Sequence, residues 1–252
     1  MLMFFVLTAT YYRMEEFKMM NLDIRTILEK AIELPLVRIE RNDFLKKEFS
    51  APKYENIIDE IIKRGPGKAG VTPEDLKRHA KNAINLETTK ATTLSFVSGL
   101  PGGPAMIGTI PADICQFYGH VLRVIQKLMY LYGWGNVESM DEGTTNIVII
   151  FLGVMNGVEA AQQALKQLCV VVSERTTSMI AAKALTRAAL YPTVKKVGAQ
   201  ISIKITNQAT AKMAAKIIPV VGGIASGGLT IATFKPMSHR LLKELIENSR
   251  VS

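Results

Sequence analysis

Apolar residues recur at helical spacing through Leu22, Ile24, Ile27, Leu28, Ile32 and Leu34. The pattern stops at Pro35, whose ring disfavours helix in the residue before it. A second amphipathic helix is expected over residues 54–64, with Ile57, Ile58, Ile61 and Ile62, and Gly65-Pro66-Gly67 breaks it. Thr72-Pro73-Glu74-Asp75 then reads as a helix start. It has a hydroxyl cap, a proline at the first helical position and carboxylates against the positive end of the helix dipole. That helix is expected to run to about Asn85.

Three later segments carry no charge, and each is interrupted by glycine or proline. Residues 91–112 hold Gly99-Leu100-Pro101-Gly102-Gly103-Pro104 and then Pro111, so they predict two apolar helical pieces meeting at a bend. Beyond Pro111 a long helix over residues 112–132 is apolar on most of its circumference, the pattern of a helix buried in protein or lipid, and it closes at Gly133-Trp134-Gly135. Residues 144–157 form a second uncharged segment, followed by an Ala/Gln/Leu helix over 159–172. An Ala-rich basic stretch occupies 181–216, with Pro192 as a boundary. The third uncharged segment, 217–234, contains Pro219 and the glycines from Gly222 to Gly228, and a last helix is expected after Pro236 with Leu241, Leu242, Leu245 and Ile246.

No stretch alternates in the manner of a half-buried strand, and the fold class is all-α, a single multi-helix bundle with Gly/Pro-broken apolar central helices. Residues 1–20 are expected to be a disordered leader or an over-long start, 21–90 amphipathic N-terminal helices and 91–252 the core. With 252 residues and 48% hydrophobic content the chain can bury a large core without disulfides or metals. Cys115 and Cys169 stand apart in apolar sequence, which fits a reducing compartment and a cytoplasmic location.

The net charge of +9 is unevenly placed: residues 1–143 are balanced, and the whole excess lies in 144–252. Lys183 and Arg187, and Lys212 and Lys216, stand at i,i+4, with Lys195, Lys196 and Lys204 between them, a spacing that lines cations along helical faces. Tyr191 is almost the only aromatic residue there, which argues against stacking on nucleic acid. A basic face beside an apolar segment suits an anionic membrane surface, or a membrane protein partner, with the protein peripheral on the inner face. A solvated basic surface accounts for the same residues.

Catalytic motifs are missing from the sequence. The glycine clusters supply neither G-x-G-x-x-G nor a Gly-Lys-Ser/Thr ending, and close helix packing explains them more simply. On the helix after Pro111, Asp113, Gln116, His120, Arg123 and Lys127 fall on one stripe, a candidate for acid/base chemistry or ligand binding; helix-to-helix pairing is the competing reading. His79 and His239 read as surface residues. No cofactor or metal motif is present.

The ordered blocks Gly99–Met106, Thr109–Phe117, Gln126–Trp134, Phe151–Met155 and Ile217–Gly223 resemble those of the EcsC family of bacterial proteins, over roughly residues 31–245. The resemblance implies a protein associated with secretion or transport, since the family takes its name from an operon whose other products look like an ABC exporter. It implies no defined reaction.

Overall fold

The computed structural model describes residues 22–98, 106–107, 110–174, 178–215 and 222–249. The leader, the whole of the first glycine cluster and residues 216–221 lie outside them. The architecture is all-α. In chain order the helices are α1 (Ile24–Glu33), α2 (Arg41–Glu48), a 3-10 turn (Pro52–Ile57), α3 (Ile58–Arg64), α4 (Pro73–Ser98) and α5 (Ala112–Leu131). They continue with α6 (Glu142–Met155), α7 (Glu159–Glu174), α8 (Ser178–Arg187), α9 (Tyr191–Ala215) and α10 (Gly222–Ser249).

Capping chemistry places the helix starts. Asp23 accepts from the Thr26 amide, Glu40 from Asp43, and Asp141 from Thr144. The Thr72 hydroxyl accepts from the Asp75 amide at 3.2 Å, as the sequence signature predicts. Pro192 sits in the first turn of α9, where its missing N–H costs no helical hydrogen bond.

Helix α6 is the axis of the bundle. Every residue from Gly143 to Met155 is buried, and α1, α5, α7, α8, α9 and α10 all pack on it. A helix this apolar on every side finds its apolar surroundings within the protein. Gly153 sets how closely two neighbours approach: a Cβ there would stand 2.5 Å from Ala161 Cβ and 2.6 Å from Val197 Cγ1. The buried residues of all these helices join one hydrophobic cluster reaching from Leu22 to Leu245.

Four sequence expectations are corrected. Helix α4 does not stop near Asn85 but continues to Ser98, because Leu76, Ala80, Ala83, Ile84, Glu87, Thr88 and Ala91 keep one buried stripe going. The same helix crosses the boundary drawn at residue 90. Met106–Ile107 and Ile110–Pro111 form a two-residue antiparallel hairpin ahead of α5 in place of the second helical piece. The last helix begins well before Pro236 and contains it, held by Phe234, Met237, Leu241, Leu242 and Leu245, all buried in a helix that packs on α4, α5, α6 and α7. Helix α2 was not anticipated; its sequence is mostly charged, and only Arg41 and Leu45 are buried.

Gly153→Ala should lower the melting temperature. Overpacking costs about 1–3 kcal/mol, against a gain of up to about 1 kcal/mol in helix propensity. Thermal denaturation by circular dichroism checks this, and an unchanged or higher midpoint would contradict the close approach of α6 to α7 and α9.

Candidate functional site

The polar stripe of α5 meets a partner that the sequence reading passed over. Glu87 of α4 has no solvent exposure, and three α5 side chains converge on it. His120 Nδ1 lies 3.1 Å from Glu87 Oε2, Arg123 Nε donates to the same oxygen at 2.9 Å, and Lys127 Nζ donates to Oε1 at 2.7 Å. An ionised carboxylate only accepts, so His120 carries its proton on Nδ1. The three donors stand at i, i+3 and i+7, on one face of the helix. Lys90, 4.0 Å from Oε1, closes the exposed edge.

Burial by itself pushes the Glu87 carboxyl up, but the hydrogen bonds from His120, Arg123 and Lys127 outweigh it and hold the group well below the usual carboxylate range. Burial pulls the Lys127 ammonium down, and Glu87 opposes that shift. The Lys127 ammonium also faces the Phe44 ring, 6.0 Å from its centroid.

Arg123 and Gln126 also reach the chain between α1 and α2. Arg123 Nη1 donates to the Leu36 carbonyl, Gln126 Nε2 to the Val37 carbonyl at 3.0 Å, and the Ile39 amide to Gln126 Oε1 at 3.0 Å. These contacts hold Leu36 at φ 66°, a conformation that a bulky residue adopts only when its surroundings impose it. Asp113 and Gln116, one to two turns earlier on α5, are half-buried and are not among the partners of Glu87. The stripe is therefore divided: His120, Arg123 and Lys127 are engaged in helix pairing, and only Asp113 and Gln116 stand outside the cluster.

His79 is not a surface residue. Its Nδ1 lies 2.7 Å from Glu48 and its Nε2 3.3 Å from the Tyr54 hydroxyl, which also donates to Asp75 at 3.0 Å. Phe49 covers the ring, with centroids 4.7 Å apart. This network ties the end of α2 to the start of α4. His239 is half-buried on α10, and burial with Lys235 and Lys81 nearby lowers its pKa. Among the described residues no group of three His, Cys, Asp or Glu is placed to hold a metal ion.

The basic residues also divide. Lys183 lies 2.6 Å from Asp141, Arg187 is 3.6 Å from Asp141 and 3.7 Å from Glu142, and the Lys183 stem packs on Gly143. These two cations, expected to face an anionic surface, fasten α8 to the start of α6. Burial alone would raise the Asp141 pKa; the Lys183 and Thr144 hydrogen bonds prevail and lower it to about 2. Lys195, Lys196 and Lys204 are exposed on α9, and Lys204 reaches Asn156 Oδ1 at 2.8 Å. Among the described residues no carboxylate pairs with these three lysines. The side chain of Lys212 and the whole of Lys216 lie outside the described residues.

Beside Lys196 an open groove of about 410 Å³ is lined by Val158, Glu159, Ala160, Gln163, Val197 and Gln200. One carboxylate and one ammonium share it, a pairing with no bias toward either sign of ligand. Among the described residues no helix is long and apolar enough to cross a membrane. Comparison of the chain with family models, with curated proteins and with solved structures returned no match.

Removing the Glu87 carboxylate strands Arg123 and Lys127 against each other. Glu87→Ala is expected to cost about 3–5 kcal/mol in urea denaturation, where a loss under about 1 kcal/mol would contradict the cluster's structural role. The pH dependence has a definite sign. Because the folded-state pKa lies below the ordinary 4.5, the contribution of Glu87 is fully present above that pH and is lost as pH falls below it. The stability gap between wild type and Glu87→Gln should therefore narrow on acidification from pH 5 to pH 3.

Proposed function

We propose that the protein is a non-enzymatic, membrane-proximal helical protein whose basic C-terminal half faces an anionic surface on the cytoplasmic side, in line with the EcsC resemblance and its association with secretion or transport. The observation that carries this reading is the outer face of α9, where Lys195, Lys196 and Lys204 are exposed without carboxylate partners among the described residues. No Asp or Glu occurs in the chain between Glu174 and Glu244, so α9 itself supplies no counter-charge, and Glu159 of α7 is the carboxylate that shares a groove with Lys196. Cations near a membrane surface contribute roughly 1 kcal/mol each toward anionic lipid. A few of them give reversible, salt-sensitive association.

The non-enzymatic part of the proposal draws on the α5 stripe. His120, the one imidazole on it, is engaged by a buried carboxylate together with an arginine and a lysine. A general base needs a reachable proton to abstract, and this imidazole is 12% exposed.

Co-sedimentation with vesicles tests the proposal. Wild type should pellet with phosphatidylglycerol-containing vesicles at low salt and not with pure phosphatidylcholine. The triple variant Lys195→Glu, Lys196→Glu, Lys204→Glu should remain in the supernatant with an unchanged circular dichroism spectrum. A folded wild type that ignores anionic vesicles would sink the proposal.

A further inference from the structure

We infer that α9 lies in the plane of a lipid interface and immerses Ile203 in the bilayer, so that the partner of the basic face is lipid and not an acidic protein. The inference rests on the anionic-surface reading above and adds how the contact is made.

Exposed large apolar side chains are few among the described residues, and three of them fall on α8 and α9: Ile180 at 71%, Ile203 at 61% and Tyr191 at 42%. On α9 they are ordered relative to the charges. Pro192, Ala199 and Ile203 follow one another at seven and four residues, which puts them along one line of the helix, and all three are exposed. At about 100° per residue Lys195 falls to one side of that line and Lys196 close along the other, followed by the exposed Asn207 and Gln200, while Lys204 lies further round toward the buried side. Tyr191 stands at the margin one turn before Lys195. The opposite side of the helix, Val194, Val197, Ile201 and Ile205, is buried in the bundle.

An apolar line edged by lysines is the arrangement of a helix lying in the headgroup region. The apolar side chains enter the acyl boundary, lysine stems extend along it to keep their ammonium groups at phosphate level, and a tyrosine sits at the margin with its ring in and its hydroxyl out. An acidic protein could also cover Ile203 at the centre of a charged rim, but it would leave the side chain out of reach of a quencher on the acyl chain, which lipid immersion would not. The Ile203 side chain is more than half exposed, while its neighbours Ile201 and Ile205 are buried in the core.

Quenching by lipids brominated on the acyl chain reads the depth directly. The chain's one native tryptophan, Trp134, is 1% exposed and serves as a silent background. Ile203→Trp, mixed with phosphatidylglycerol/phosphatidylcholine vesicles at low salt, should shift to the blue and be quenched. Ile203→Ser should weaken vesicle partitioning by about three- to tenfold, as expected for losing part of a buried isoleucine, with an unchanged melting temperature in the absence of lipid. If both variants bind like wild type and Ile203→Trp is unquenched, immersion is overturned while the electrostatic reading stands. If wild type does not bind vesicles at all, both fall together. Retention on a heparin matrix without vesicle binding would likewise overturn lipid as the partner.

Discussion

A carboxylate with no access to water is tolerable only if the protein supplies the charge and hydrogen bonds that water would have given, and Glu87 obtains them from three successive turns of α5. That demand fixes the register of α4 against α5. Because Arg123 uses its other end on Leu36, and Gln126 one turn on holds Val37 and Ile39, the same stripe also fixes the chain that leads into α2. Helix α10 then lies along α4, with Phe234 meeting Phe117 of α5 edge-on at 6.0 Å between centroids. The cluster is not electrically neutral: Arg123, Lys127 and Lys90 stand against one carboxylate, and the exposure of Lys90 together with the residual exposure of Arg123 gives the excess a route to solvent.

Much of this was legible in local chemistry. Thr72-Pro73-Glu74-Asp75 and Pro35 mark real boundaries because caps and proline act within a few residues of themselves. The line from His120 to Lys127 was visible as a stripe because helical period is local too. Its partner was not: ending α4 at Asn85 removed Glu87 from view. A signal existed, since Glu87 continues the apolar stripe of Leu76, Ala80 and Ile84, and a lone carboxylate on such a stripe calls for cations on the facing helix. Pro236 misled for the opposite reason. Its backbone penalty is local, whereas the burial of Phe234 and Leu241 on either side of it depends on helices far away in sequence, Phe234 meeting Phe117 of α5. Lys183 and Arg187 matched the rest of the basic half in composition, and nothing nearby revealed that Asp141 would stand against them.

These pairings change what the charge distribution means. The sequence divides into a neutral half and a basic half, but cations in both are spent on holding helices: Lys127 and Arg123 on Glu87, Lys183 and Arg187 at the start of α6, Arg240 on the Met155 carbonyl at its end. Among the described residues, what remains without a carboxylate partner on α9 is Lys195, Lys196 and Lys204, and it shares the helix's outer side with the exposed Ile203. The core of the bundle and its outward chemistry are thus carried by different residues, and the surface can be altered without disturbing Glu87.

The organisation of the bundle depends most directly on the coupling between Glu87 and Lys127. A double-mutant cycle of Glu87→Gln and Lys127→Met, followed by urea denaturation at neutral pH, should give a coupling free energy of about 1–3 kcal/mol, the range for groups sharing one buried network. Additive effects, with coupling near zero, would contradict a bundle organised on this carboxylate.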